Sequence, residues 1–167
     1  MPHSSLPAAQ NGEYLWFLNS LVRIGVPSGQ GVDGLCVMEH RVPHGDSPPL
    51  HRHATEDEFF HILDGEFRFV VDGQSRRAGP GAMLLAPKGS LHTYRAESPE
   101  GGRFVTVTRG HDFEQLVLAL GRPAERLELP PPAGPPSPEA LAELGAAAAE
   151  RGITFHGPPL GPEESAA

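Results

Sequence analysis

The sequence predicts an all-β fold built from many short strands. Glycine and proline are frequent, at 20 and 19 of the 167 residues, and they are spread through the body of the chain, which favours turns between short strands. The pairs Asp64-Gly65 and Asp72-Gly73 separate alternating apolar runs, a strong hairpin signal. Seven or eight strands within about 95 residues indicate a sandwich or a barrel.

The limits of the strands follow from alternation of apolar and polar residues and from turn residues. Residues 43–49 are predicted as a loop, because their two adjacent prolines cannot donate to a sheet ladder. Residues 1–12 are polar and rich in turn formers and are predicted as a flexible N-terminal arm. The strands are predicted at 13–26, 32–42, 58–63, 66–71, 82–86, 91–96 and 103–108.

The last third of the chain changes to a helical pattern. Asp112 is expected to cap a helix that ends at Gly121, since apolar residues recur there at helical spacing. Residues 130–138 form a proline-rich connector, and Ser137 is expected to cap a second helix. We therefore divide the chain into the arm, a β-barrel at 13–110 and a C-terminal extension at 111–167, whose two helices cover an open face or edge of the barrel.

Composition excludes several classes of function. The formal charge of −8 and the scattered basic residues argue against nucleic-acid binding. No stretch approaches the roughly 20 apolar residues of a membrane span, and we expect a cytoplasmic protein. Cys36, the single cysteine, stands in an apolar run and is expected to be packed rather than reactive. A Gly-x-Ser-x-Gly nucleophile elbow is absent.

Three of the nine histidines form a pattern with one glutamate. His51 and His53 are two residues apart, so on an extended segment both side chains point the same way. Glu58 starts the next strand on that face, and His92 arrives from a different strand after a tight turn. Three imidazoles and one carboxylate suit a divalent transition metal rather than calcium or magnesium, which prefer all-oxygen sites.

Two segments that carry these residues, GDSPPLHRHATEDEFFHILDG and GAMLLAPKGSLH, resemble the two signature motifs of the cupin superfamily. The resemblance covers about residues 32–110 and implies a double-stranded β-helix, or jelly-roll, barrel. It assigns His51, His53, Glu58 and His92 as metal ligands. It also implies turn positions at Gly45, Gly65, Gly81, Pro87 and Gly89.

One position departs from the cupin pattern. The second motif of the family often has asparagine four residues after the histidine, and this chain has Ala96 there. More loosely, the segments GHDFEQLVLALGRPAERLELPPP and ITFHGPP are similar to the tails of single-domain cupins related to bacterial quercetin dioxygenases.

That likeness implies a metal-dependent oxygenase acting on a small aromatic substrate with an enol or phenol oxygen bound to the metal, with dioxygen as co-substrate. Glu58 would then be catalytic, since it could leave the metal to take the substrate proton. Four side chains are candidate walls of the substrate pocket, although packing in the core explains them equally well or better. They are Phe60, Ile62, Phe69 and Tyr94. Phe60 and Ile62 share strand parity with Glu58, and Tyr94 shares it with His92.

Two other classes of function remain open. A cupin metal can act as a Lewis acid without redox chemistry, in an isomerase, cyclase or lyase, and a cupin can also bind a small molecule without turning it over. Iron, manganese, nickel and cobalt are the expected metals, with zinc and copper as alternatives. We also expect a homodimer, because the first strand is predicted as an exposed edge that could pair with a second copy.

Overall fold

A computed structural model describes residues 14–163, and the predicted arm at 1–12 lies outside this range. Within it the chain forms twelve strands, two α-helices and a short 3-10 helix, Ser28–Gln30. The strands and helices are β1 (Tyr14–Phe17), β2 (Ser20–Val26), β3 (Leu35–Val42), β4 (Leu50–His53), β5 (Glu58–Asp64), β6 (Phe67–Val71), β7 (Gln74–Ala78), β8 (Met83–Ala86), β9 (His92–Ala96), β10 (Gly102–Arg109), α1 (Asp112–Leu120), β11 (Arg122–Pro123), α2 (Pro138–Ala149) and β12 (Ile153–Gly157).

The strands form two antiparallel sheets, which confirms the predicted all-β architecture. The larger sheet has the order β11-β1-β2-β3-β10-β5-β8, and the smaller has the order β12-β4-β9-β6-β7. Phe60 and Phe104 of the larger sheet pack with Phe67 and Phe69 of the smaller, so the two sheets enclose a common core. The crossing from β4 to β5 carries the chain from one sheet to the other.

A second core cluster joins the first strands to the C-terminal helices. Leu116 and Val117 of α1 and Ala148 of α2 are buried against Phe17 of β1 and Met38 of β3. The helices thus cover the barrel, as the sequence predicts. Among the described residues, neither helix combines the length and the apolar character needed to cross a membrane.

The predicted single strand at 13–26 is wrong, because the chain turns back at Leu18. This residue has a φ of 52°, and the flanking strands β1 and β2 pair as a hairpin. The expected exposed edge at the first strand is also wrong, since Trp16 and its neighbour pair with β11 on the outer side. Strands β7 and β11 were not predicted, and β4 was expected only as an extended segment at His51 and His53.

The two predicted helices of the extension are present, but the extension does more than cover the barrel, because it also adds a strand to one of the sheets. The Ser137 side chain accepts a hydrogen bond from the Ala140 amide at 3.2 Å, with Pro138 in the first helical turn, as expected. Helix α1 differs, because Asp112 is its first residue rather than its cap. Strand β12 pairs directly with β4 and becomes the edge of the smaller sheet.

Candidate metal centre

The four predicted ligands lie together where the two sheets meet. His51 and His53 are on β4, Glu58 begins β5 and His92 begins β9. His51 and His92 are direct partners in the register between β4 and β9. Each of the four side chains offers one nitrogen or oxygen, and these atoms all lie within 4.8 Å of one another. The structure therefore brings together the four side chains that the sequence pattern grouped.

The tight turn before His92 is bonded to the strand that carries the other histidines. Gly89 has a φ of 82°, a conformation that residues with a side chain rarely adopt, and its amide donates to the carbonyl oxygen of His53 at 2.7 Å. The Ser90 amide and hydroxyl both donate to the carbonyl oxygen of Pro87. These bonds hold the two motifs at a fixed distance. All four glycines of the motifs, Gly45, Gly65, Gly81 and Gly89, have positive φ angles.

Each histidine of the quartet has an acceptor at its Nδ1 atom. In His51 and His92, Nδ1 donates to the carbonyl oxygen of the residue two positions earlier, over 2.7 and 3.2 Å. In His53 the acceptor is the Glu56 carboxylate, at 3.2 Å. A carbonyl oxygen can only accept, so the ring proton lies on Nδ1 and the Nε2 lone pair is free for a metal. This shared tautomer fits the donor set that a transition metal requires.

Burial and the neighbouring charges of opposite sign shift the pKa values of these groups in opposite directions. Burial raises the pKa of Glu58, but the three surrounding histidines outweigh it and hold that pKa at about 2. Burial, with His92, lowers the pKa of His51 to about 3. Burial also opposes protonation of His53, yet Glu58 and Glu56 together raise the pKa of His53. One carboxylate among three imidazoles thus forms a compact, charge-paired centre.

The distances also suit a shared ion. Oε2 of Glu58 lies 3.0 Å from Nε2 of His92 and 3.5 Å from Nε2 of His53. Three imidazole nitrogens and one carboxylate oxygen would leave two positions of an octahedral ion for other ligands. Zinc, iron, manganese, cobalt, nickel and copper all accept this donor set.

A small apolar cavity of about 60 Å³ opens beside the centre, on the side of His51 and His53. Phe155 of β12 stands edge-on to the His51 ring, with centroids 6.5 Å apart, and Phe113 of α1 stands edge-on to the His53 ring at 5.8 Å. The C-terminal extension therefore supplies much of the wall. The remaining lining residues are Phe17, Leu18, Pro48, Pro49, Leu116, Leu144 and Ile153.

The four candidate pocket residues lie elsewhere in the barrel. Phe60, Ile62 and Phe69 are fully buried in the first core cluster, against which Tyr94 packs. Phe60 lies closest to the centre among them, with its ring centroid 6.4 Å from that of His92, and the Tyr94 hydroxyl donates to Asp46 at 3.0 Å. They close the barrel interior on one side of the ligands, and their contact with a substrate stays a prediction.

A larger depression of about 460 Å³ contains none of the four ligands. It lies over β2, β3 and β10, and charged residues of both signs line it: Arg23, Arg41, Arg103, Glu39, Asp64 and Glu100. Glu39 and Arg103 are paired with each other there. Its balanced charge and paired groups make it a weaker candidate for chemistry than the buried quartet.

Sequence reasoning missed Glu56, Phe113 and Phe155. Glu56 stands in a row of three acidic residues, and strand parity distinguishes only the last of them, Glu58. Phe113 is one of the apolar residues at helical spacing in α1, and this pattern predicts only that it packs in the core. Phe155 reaches the site because β12 pairs with β4, and nothing in the sequence indicates that pairing.

Comparison with known proteins agrees with this fold and this site. The family model described as "Cupin domain" matches residues 38–108, a range that begins in β3, ends in β10 and contains all four ligands. The chain belongs to the cupin superfamily. Its jelly-roll barrel is shared with an RmlC-like cupin from Shewanella frigidimarina, with a TM-score of 0.53 at 16% identity over 64% of this chain and 91% of that one.

A second solved cupin gives the same result for the fold. The Cnp3 cupin domain of Schizosaccharomyces pombe matches with a TM-score of 0.52 at 15% identity, over 65% of this cupin and 76% of that chain. In sequence, this cupin is 30% identical over 129 residues to quercetin 2,3-dioxygenase of Bacillus subtilis. That match spans 75% of this cupin and 38% of the Bacillus protein.

Proposed function

We propose that this cupin is a metal-dependent oxygenase of the quercetin-dioxygenase-like type. The observation that carries the proposal is the convergence of three Nε2 atoms and one carboxylate beside an apolar cavity. The likeness to quercetin 2,3-dioxygenase of Bacillus subtilis supports the choice of chemistry. A bound ion of the iron, manganese, nickel or cobalt group would supply redox chemistry and polarise a substrate oxygen.

The substrate class follows from charge and from the cavity wall. One carboxylate on a divalent ion leaves about one positive charge, which favours an enolate or phenolate oxygen. The wall around His51 and His53 is otherwise apolar and partly aromatic. We therefore propose a small aromatic substrate with an enol or phenol group, and dioxygen as its partner in the reaction.

Glu58 is the proposed proton acceptor. It is 4% exposed, and its pKa of about 2 keeps it ionised at neutral pH. Its Oε2 atom lies 3.0 Å from Nε2 of His92 and 3.5 Å from Nε2 of His53, within reach of an ion that all three would share. Once released from the metal, this carboxylate would take the proton of a substrate hydroxyl whose acidity the bound ion would raise.

The cavity is too small for such a substrate as it stands. A volume of about 60 Å³ equals the share of roughly two liquid water molecules. Entry therefore requires outward movement of lining side chains, and two of these, Phe155 and Leu144, belong to the extension. We propose that the extension controls access to the centre.

Elemental analysis tests the metal centre first. Protein purified without chelator should contain about one equivalent of Fe, Mn, Ni or Co, and the double variant His51→Ala/His53→Ala should contain none. His61→Ala is the matched control, because His61 lies on β5 as Glu58 does but outside the quartet. A wild-type protein that takes up no metal even after reconstitution would overturn the proposal.

Oxygen uptake then separates the reaction classes. With flavonols and related enols, the loaded wild type should consume oxygen and Glu58→Gln should not. A Glu58→Gln variant that keeps its metal and its rate would contradict the role of Glu58 as base. Turnover without oxygen uptake would instead indicate Lewis-acid chemistry in an isomerase, cyclase or lyase, and a ligand-induced rise in melting temperature without turnover would indicate a binding protein.

We also propose a cytoplasmic homodimer. The larger sheet ends at β8, where the apolar side chains of Met83 and Leu85 are more than half exposed. Such an edge favours pairing with a second copy. Light scattering at the mass of one chain would contradict the dimer.

A further inference from the structure

Glu56 is a fully buried carboxylate next to the metal centre, in the turn between β4 and β5. It is not one of the four converging ligands. We propose that Glu56 is a positioning residue, which holds the His53 ring in the tautomer and orientation that present Nε2 to the metal. This inference rests on the proposed metal centre and is independent of oxygenase chemistry.

The Glu56 carboxylate accepts hydrogen bonds from three donors. Nδ1 of His53 lies 3.2 Å from Oε2, the amide of Phe113 lies 3.1 Å from the same oxygen, and the amide of Asp112 lies 2.9 Å from Oε1. An ionised carboxylate is an acceptor only, so it matches three donors without conflict. The same side chain therefore fixes a ligand ring and the first turn of α1.

The backbone near α1 leaves space for this side chain. A Cβ atom at Gly110 would lie 2.8 Å from Oε1 and 2.9 Å from Cγ of Glu56, closer than real Cβ atoms approach their neighbours. Gly110 also has a φ of 144°, which a residue with a side chain rarely adopts. The place of Glu56 is thus set by the local backbone as well as by its hydrogen bonds.

A carboxylate on the far nitrogen of a metal-bound imidazole has a known physical effect. It fixes the proton on that nitrogen, orients the ring and makes the opposite nitrogen a stronger donor, and its loss lowers metal affinity by about 10- to 100-fold. His51 and His92 donate to neutral carbonyl oxygens instead. His53 is therefore the histidine of the quartet whose ligand strength depends on a charged partner.

Glutamine at position 56 cannot reproduce this arrangement. Its one carbonyl oxygen leaves the amide NH₂ facing either His53 or the amides of α1, and in both cases two donors meet. Where the NH₂ faces His53, the ring proton must move to Nε2, the atom that the metal needs.

Metal affinity of Glu56→Gln tests the proposal, measured by competition of cobalt with a chromophoric chelator. Glu114→Gln is the matched control, since Glu114 is also buried and joins α1 to the 3-10 helix, through the amide and hydroxyl of Ser28, but is not one of the quartet or its hydrogen-bond partners. Glu56→Gln should bind cobalt about 10- to 100-fold more weakly than wild type, with an altered visible absorption spectrum. Glu114→Gln should bind cobalt as wild type does.

The outcomes separate this inference from the metal centre itself. If wild type and Glu114→Gln bind cobalt and Glu56→Gln binds it within about twofold of them, Glu56 has no positioning role. If wild type binds no cobalt, the proposed metal centre fails.

A measurement on the wild type covers the case in which Glu56→Gln does not fold. In the zinc-loaded protein, nitrogen NMR of the histidine rings should show a proton on Nδ1 of His53 that is further downfield than those of His51 and His92, because its acceptor is charged. An Nδ1 atom of His53 that carries no proton would overturn the proposal.

Discussion

The ring of His40 stacks on the ring of Phe113, with 4° between their planes and 5.8 Å between their centroids. His40 belongs to β3 and Phe113 to α1, so this contact joins the barrel interior to the helix that lines the metal centre. Its Nε2 atom and the Thr106 hydroxyl form a hydrogen bond of 2.9 Å. Burial lowers the pKa of His40 to about 4, although Glu58 and Glu39 oppose this shift.

This lowered pKa predicts a dependence of stability on pH. Between about pH 6.5 and pH 4 the unfolded chain binds a proton at His40 that the folded chain does not, so the free energy of unfolding should fall as the pH is lowered through this range. The contribution of His40 is at most about 3 kcal/mol. Urea unfolding of the metal-free protein at several pH values measures it, and His40→Asn should show a shallower slope. Equal slopes would contradict the prediction.

Replacement by alanine should lower the free energy of unfolding more at Gly65 than at Gly73. Both have φ angles near 80°, but a Cβ atom at Gly65 would lie 2.5 Å from the carbonyl oxygen of Gly101. A Cβ atom at Gly73 would have no atom of the described residues within 4 Å, its chain neighbours aside. Gly73→Ala should lower the free energy of unfolding by about 1 kcal/mol, the cost of the left-handed conformation. Gly65→Ala should cost at least about 2 kcal/mol more. Urea unfolding that gives equal losses would be inconsistent with the close approach.

Cys36 should resist modification in the folded protein. The thiol is buried as the sequence predicts, and burial, with Glu114 and Glu56, raises its pKa to about 12. Because the thiolate is the reactive form, a coloured disulfide reagent at pH 8 should label the folded chain at least about 100-fold more slowly than the chain in urea. Labelling at similar rates would indicate that the thiol is accessible.

The side chain of Phe155 should slow the removal of metal from the proposed centre. Its ring stands edge-on to that of His51, the partly exposed member of the quartet, with centroids 6.5 Å apart. Phe155→Ala should speed removal of cobalt by a chelator roughly tenfold, which corresponds to a barrier lower by about 1.4 kcal/mol. Phe59→Ala is the control, since Phe59 lies on β5 but does not line the cavity. Equal rates in Phe155→Ala and wild type would argue against control of access by the extension.

The four side chains of the candidate metal centre could be grouped from the sequence because their positions depend on strand parity and on short turns. His51 and His53 share a face at a spacing of two residues, and the turn before His92 is marked by its own proline and glycine. Register between distant strands has no such local signal. The pairing of β12 with β4, which brings Phe155 to the site, could therefore not be predicted from the sequence.

Local features of the sequence also explain why some strands were not predicted. Strand β7 reads Gln-Ser-Arg-Arg-Ala, and only Ala78 of it is buried, so it lacks the alternation that marks a strand. The turn at Leu18 and Asn19 contains no glycine or proline, so the sequence of β1 and β2 reads as one extended run. Strand β11 has two residues, one of them Pro123.

The position of β4 has a consequence for the order in which the chain assembles. This strand carries two of the four proposed ligands, shares one registered pair with β9 and has its longer pairing with β12, about a hundred residues later. During synthesis, the ligand strand therefore lacks its main neighbour until residues 153–157 have left the ribosome. Metal loading should then be a late event, which follows rather than guides the folding of the barrel.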